Sequence, residues 1–257
     1  MSLPPIIVDD LDRAIDRYVK ELGFRLEMIK PADAPREALL SEPPAVAGGL
    51  TSQELRFITL RSNKARLQPP ATAGGSDWVR GRAGMEYRDL VPNRLGGKVI
   101  ASHIRLTEGG EVPDYVHYHK IALQIIYCLK GRIKVVYEDQ GPPFWLEAGD
   151  CVLQPPEIRH RVLECEAGSE VIEVTSPAEH ETWVEHEITL PTAHFKPDRD
   201  FGGQRFVRRN AAANASGHLG IAAVTGARFD AGISSDVTGQ RSLWVKLADG
   251  ERLSIDL

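Results

Sequence analysis

Between Val116 and Pro177, apolar and polar positions alternate over the short runs VHYH, ALQIIYCL, IKVVYE, FWLEAGD, CVLQP, HRVLEC and EVIEVTSP, separated by turns such as KGR, DQGPP and EAGS. Short, evenly spaced strands with glycine and proline between them predict an antiparallel barrel or jelly roll. GGKVIASHIRLTEGG (96–110) reads as a further strand, with Val99, Ala101, His103 and Arg105 on one face and Ile100, Ser102, Ile104 and Leu106 on the other. The first 30 residues have a different period. LPPIIV (3–8) is a short β-branched run, after which Leu11, Ala14, Ile15, Tyr18, Val19 and Leu22 recur at three- and four-residue steps, the apolar face of a helix. Asp9 or Asp10 supplies an N-cap and Gly23 suits the position just past the C-terminus. FRLEMIK (24–30) returns to alternation and ELRFITLR (54–61) is a later strand.

Punctuation divides the chain. QPPATAGGSD (68–77) breaks all periodicity and reads as a linker or long loop, and Trp78–Arg94 as a lead-in strand. SPAEHETWVEHEITLP (176–191) is expected to run outward from the barrel, anchored by Trp183. Beyond HFKPDRDFGGQ, the segments RFVRR, HLGIAAVTGARF and SLWVKLADGERLSIDL alternate as strands. Their order loosely echoes 87–110, the opening of a partial, degenerate second barrel, but they contain no HxH and are expected to add strands to the first barrel or to a partner subunit. The division is therefore 1–68, an α+β module; 78–190, the barrel; and 191–257, C-terminal strands.

Composition narrows the classes. With 42% hydrophobic and 26% charged residues the chain is an ordinary globular one, and 257 residues suffice for a sizeable core. The net charge of -5 and the lack of a basic stripe with interleaved aromatics speak against a nucleic-acid partner; RFVRR (205–209), the densest basic cluster, reads as a solvated strand end. Cys128, Cys151 and Cys165 are odd in number and show no CxxC spacing, so a reducing compartment is expected. No stretch approaches the ~20 apolar residues of a membrane helix, and the N-terminus lacks a signal-peptide pattern. A cytoplasmic location with no membrane partner follows as an expectation.

The chemistry concentrates between Gly110 and His160. His117 and His119 flank Tyr118, so on a strand both imidazoles share one face. Gln124 can return alongside them after a short turn, and His160 follows a loop stiffened by Pro155 and Pro156. HxH alone is a weak signal; the third histidine behind G-D-x(4)-P-x(4)-H makes a metal site. Imidazoles suit several transition metals. The candidate acid–base groups are fewer. Glu173 is either a buried general base or an outward ion-pair partner. Arg159 either meets a substrate carboxylate or caps its loop, and Tyr127 and Tyr115 either line the barrel mouth or pack. Cys128 shares parity with Gln124 and points inward, whereas His103 is a surface or core-edge histidine, and the six-residue spacing of His180 and His186 fits no second metal site.

Two resemblances add to this reading. Gly110 or its neighbour, His117, His119, Gln124 and Gly131, followed by Gly149, Pro155 and His160, resemble the paired motifs of the cupin superfamily over residues 84–190. Gln124 stands where most members have glutamate, and Glu157 where the loop usually has glycine. The segment VDDLDRAIDRYVKELGFRLEMIKPADAPREALLS is similar to one βαβββ module of the glyoxalase/bleomycin-resistance superfamily, without metal ligands on its first strand, and a structural or dimer-forming role is expected for it.

Together these imply a mainly β fold, a double-stranded β-helix (jelly roll) barrel with a small N-terminal α+β βαβββ module and extra C-terminal strands. The cupin resemblance implies a divalent metal ion on His117, His119 and His160, with Gln124 as fourth ligand or hydrogen-bonding neighbour. Iron is the first choice, with zinc, nickel or manganese as alternatives. A neutral amide in place of glutamate leaves the full dipositive charge on the ion, which favours an anionic or enolisable small-molecule substrate. Cupins with three histidine ligands include enzymes that activate dioxygen by direct substrate binding to iron, so a dioxygenase-type reaction in a homodimer is expected, with Glu173, Arg159 and Tyr127 as catalytic candidates. The alternatives are a non-redox isomerase or lyase of a sugar acid, and a small-ligand binding or sensing module.

Overall fold

The fold is taken from a computed structural model, which describes residues 4–42, 56–63, 78–91, 93–211, 218–220, 229–236, 238–247 and 250–257. The linker expected at 68–77 lies outside these residues.

The N-terminal unit runs β1 (Ile6–Val8), α1 (Leu11–Asp16), β2 (Arg25–Lys30), β3 (Glu37–Ser41) and β4 (Phe57–Ser62), with sheet order β1-β4-β3-β2 and β1 parallel to β4. The Asp10 carboxylate caps α1 by accepting from the Arg13 N–H at 3.0 Å. Leu11, Ala14, Ile15, Tyr18 and Val19 pack on Ala38, Leu40 and Leu60, as the period requires. Leu22, expected on the same stripe, is exposed. From Arg17 to Glu21 the helix continues as a π-turn, with the Leu22 N–H donating to the Arg17 carbonyl (3.3 Å), and the wider turn rotates Leu22 off the buried face.

The barrel comprises β5 (Val79–Arg80), β6 (Glu86–Asp89), β7 (Ile100–Leu106), β8 (Gly110–Glu111), β9 (His117–His119), β10 (Leu123–Lys130), β11 (Arg132–Tyr137), β12 (Phe144–Glu147), β13 (Cys151–Gln154), β14 (His160–Cys165), β15 (Ser169–Ser176), β16 (Thr182–Val184) and β17 (Val207–Arg209). One sheet is ordered β17-β13-β10-β15-β7-β6-β5; the facing one contains β16-β9-β14-β11-β12, with β8 on β14. This is a jelly roll, and its interior is filled from both sheets by residues such as Ile104, Ile133, Val135, Val152 and Val171. Between β6 and β7, Asn93, Arg94, Leu95, Gly96 and Gly97 all have positive φ. Such a left-handed turn costs each L-residue about 1–2 kcal/mol. Arg94, buried there, donates from Nε to Asp89 and from Nη2 to Asp33 of the N-terminal unit, both at 2.7 Å.

Two expectations about the flanks are corrected. The segment after the barrel does not run outward: β16 pairs with β2 on one side and β9 on the other, which joins the N-terminal sheet and the barrel sheet into one continuous sheet. A strand with backbone donors on both edges is satisfied best between two others. The C-terminal strands β18 (His218–Gly220), β19 (Phe229–Ser235), β20 (Arg241–Leu247) and β21 (Arg252–Asp256) form a separate antiparallel sheet, four-stranded among the described residues. Ile233, Leu243, Val245 and Ile255 pack on Ala101, Leu123, Ile125, Leu153 and Val174, covering the outside of the barrel sheet instead of extending it, and among the described residues only β17 adds a strand, beside β13. β10 is thereby buried on both faces, which is why LQIIYCL reads as a nearly continuous apolar run.

Candidate metal centre

β9 is only three residues long, with His117 and His119 on one face and Tyr118 on the other. His160 opens β14 directly opposite His117. All three imidazoles are buried, and one ring nitrogen of each lies within 4.8 Å of the others. The remaining nitrogens are held by oxygen. His117 Nδ1 donates to the Tyr115 carbonyl (2.8 Å), His160 Nδ1 to the Ile158 carbonyl (2.9 Å), and His119 Nδ1 lies 2.8 Å from Thr182 Oγ1. A carbonyl only accepts, so the proton sits on Nδ1 and the Nε2 lone pair is presented to the centre. The Asp114 carboxylate, 3.6 Å from His117 Nδ1, adds negative charge behind that ring and raises its donor strength. With the Nδ1 protons of His117 and His160 fixed by carbonyls and the His119 ring held by a hydroxyl, the three imidazoles form a donor set that fits a divalent transition-metal ion.

Thr182 orients a ligand ring through a hydroxyl that no sequence motif announces. Thr182→Val keeps the shape and removes the oxygen; metal affinity is expected to fall about 10- to 100-fold, measured by competition with a chromophoric chelator.

The loop carrying His160 has its own strain. Glu157 adopts φ +59 and its N–H donates to the His119 carbonyl at 3.1 Å. The glycine expected there by resemblance would adopt this conformation freely. Relief of about 1–2 kcal/mol, less the roughly 0.5–1 kcal/mol of chain entropy that glycine costs, leaves an expected gain of about 0.5 kcal/mol for Glu157→Gly. A higher urea midpoint at unchanged m would show it.

The rings face a cavity of about 60 Å³, room for on the order of four waters. Its walls are mostly aliphatic, among them Ile104, Ile126 and Val135, and Ala32 of the N-terminal unit contributes to the lining. Polar groups enter at one side. Tyr137 O–H donates to Gln154 Oε1 (2.8 Å), Gln154 Nε2 donates to Gln124 Oε1 (3.2 Å), and Gln124 Nε2 donates to Glu173. Burial, reinforced by Glu173, pushes the Tyr137 hydroxyl pKa up, so it stays a donor.

The candidates from sequence therefore separate. Gln124 shares the cavity with the three histidines, but its amide is committed at both ends, to Gln154 and to Glu173. Glu173 lines the cavity. Tyr127 does not: alternation along β10 places it with Leu123 and Ile125 on the face covered by the C-terminal sheet, with the Arg241 guanidinium 5.4 Å from its ring centre. Arg159 alternates with His160 and lies on the other side of the sheet, over the Tyr118 ring at 4.2 Å and donating to Glu185 at 3.0 Å. It braces the loop and does not reach the cavity. Tyr115 contributes its carbonyl to His117, and its ring lies edge-on to that imidazole. Cys128 packs into the barrel interior. His103 is buried between Arg88 and Glu170, and His180 packs edge-on to His119 without joining the cluster. Gln154, Tyr137, Asp114 and Thr182 carried no signal of their own in the sequence; Asp114 and Gln154 sat inside the two motifs, between Gly110 and His117 and between Gly149 and His160.

Residues 102–174 match the family model described as "Cupin domain", and this part of the chain is a cupin domain. A metal-dependent cupin is supported by this match together with the three histidines, whose ring nitrogens lie close enough to hold a metal ion. Among solved structures the chain is similar to an RmlC-like cupin from Shewanella frigidimarina, at 26% identity over 42% of this chain and 88% of the other, with a TM-score of 0.34. It is also similar to KdgF from Halomonas sp. (23% identity, 39% and 86% covered, TM-score 0.33). A third is a deletion mutant of Bacillus subtilis oxalate decarboxylase (14% identity, 63% and 53% covered, TM-score 0.36). No curated protein matches the chain. Among the described residues, no helix is long and apolar enough to cross a membrane.

Proposed function

We propose that the chain is an enzyme that converts a small anionic or enolisable substrate at an ion held by His117, His119 and His160, in a dioxygenase-type reaction. The observation that carries this reading is the cavity itself: about 60 Å³, aliphatic on most sides, with the three imidazoles, two amides, two phenols and one carboxylate gathered in it. Bound there, a divalent ion supplies a Lewis acid that draws in an anionic oxygen and stabilises negative charge on it. The apolar walls strip water from the ligand and favour a molecule of few heavy atoms. Glu173, held by the Gln124 amide, is placed to take up or return a proton on the substrate.

That carboxylate favours a second reading, a non-redox isomerase or lyase in which Glu173 moves the proton. The sugar acids first associated with that alternative are large for this cavity, so a smaller acid fits it better. Elemental analysis and an oxygen electrode separate the two. Iron at about one per chain with oxygen uptake that depends on a small carboxylate supports the first. Turnover under argon would sink it in favour of the second. Protein purified from metal-replete medium without any bound metal would point to a binding module instead.

A further inference from the structure

The metal-centre reading leaves one donor to be placed. Gln154 is fully buried on β13, and its Oε1 is taken by the Tyr137 hydroxyl, which fixes the amide so that its NH2 faces the cavity. One N–H of that group points to Gln124 Oε1, and Nε2 lies equally 3.2 Å from His160 Nε2. Since His160 Nδ1 donates to the Ile158 carbonyl, His160 Nε2 carries a lone pair and accepts the second N–H. The same lone pair is the one His160 offers to an ion. It cannot serve both, and a buried N–H deprived of its acceptor is costly. The polarity of the chain prevents the amide from turning over: a carboxylate oxygen of Glu173 accepts only from the Gln124 NH2, which keeps Gln124 Oε1 towards Gln154.

Resting on the metal-centre reading, we propose that Gln154 is the residue that selects and orients the substrate. With His160 engaged by the ion, its second N–H turns to an oxygen of the bound molecule. The substrate class this defines is a small oxyanion, a carboxylate or enolate, presenting an acceptor beside His160 to a neutral donor. Tyr137 is a positioning residue that acts through Gln154.

The test uses the full chain loaded with cobalt(II), titrated with formate and read by visible absorption, which needs no turnover. Gln154→Met keeps the side-chain volume and removes the donor. Formate affinity is expected to fall about 10-fold or more, the range for a hydrogen bond to a charged acceptor, with cobalt affinity within about threefold of wild type, well inside the 10-fold loss expected for a change in ligand orientation. Tyr137→Phe, which removes one of the two anchors that orient the amide and leaves the Gln124 one, is expected to weaken formate by a smaller factor, at the level of a neutral hydrogen bond. Unchanged formate affinity in cobalt-loaded Gln154→Met overturns the proposal and leaves the metal centre standing. If that variant does not fold, unchanged formate affinity in Tyr137→Phe overturns it equally. A wild-type chain that takes up cobalt but shows no formate response overturns the proposal alone, whereas a wild type that takes up no cobalt overturns the metal reading and the proposal with it.

Discussion

Replacing His160 with alanine is expected to reduce bound metal from about one ion per chain to a trace, and to lower the melting temperature of protein purified with metal. Two imidazoles remain, and the third corner of the site becomes a gap that water must fill. The stability effect follows from linkage. A ligand present at 1,000 times its dissociation constant adds about 4 kcal/mol to the folded state, and in a chain of this size each kcal/mol is worth roughly 2–4 °C. The variant should therefore melt about 8–16 °C below the metal-loaded wild type. A chelator should lower the wild type by the linkage share of that drop and leave the variant where it is. His160 itself is anchored by Ile158 and by stacking on Tyr137, ring centres 5.6 Å apart, so part of the drop is lost packing. The chelator arm separates the two contributions. A wild type whose melting temperature ignores the chelator would count against a metal at this site.

Arg94→Ala is expected to cost about 3–5 kcal/mol of folding stability, the range for breaking a buried ion pair from one side. The guanidinium is 3% exposed and bridges Asp89 of the barrel to Asp33 of the N-terminal unit. Burial alone would lower its pKa, but Asp33 and Asp89 more than offset this, so it is held charged. Alanine leaves two carboxylates facing a space from which their counter-charge has gone, and it releases the left-handed turn that Arg94 pins. Urea denaturation measures the loss. Adding Asp33→Asn to Arg94→Ala should return part of it, because one stranded charge is removed. A single-mutant cost below about 1 kcal/mol, the ceiling for an exposed pair, would show that the bridge is solvated. The bridge also bears on the site, because Asp33 follows Ala32, which lines the cavity. In Arg94→Ala the N-terminal loop should loosen there, detectable as faster amide exchange around 31–36 with the barrel strands unaffected.

How much of this was legible depended on the range of the interaction. Strands β9 to β15 were readable because a half-buried strand writes its geometry into a period of two, and the same period placed His117 and His119 on one face. The anomaly at Glu157 was visible as a departure, though its positive φ was not. Parity along β10 separated Gln124 from Tyr127, but a strand buried on both faces does not say which side is the lumen. Tyr127 was accordingly grouped with the cavity, when the C-terminal sheet covers it. Leu22 shows the reverse case, a correct helical period broken by a π-turn whose cause lies in backbone hydrogen bonding.

By itself, then, the sequence determined what local periodicity and short spacings can encode: a jelly-roll barrel preceded by strand, helix and strand, and three histidines that must meet. The tertiary structure decided everything that depends on contacts between distant segments. It inserted β16 between the N-terminal unit and the barrel, brought Thr182 to His119, and used Asp33 of one unit to hold Arg94 of the other. It also ran a polarised line of hydrogen bonds from Tyr137 through Gln154 and Gln124 to Glu173. The physical reason is that a buried polar group takes whatever partner the folded chain presents, and that partner is chosen by three-dimensional packing, on which sequence spacing has no hold.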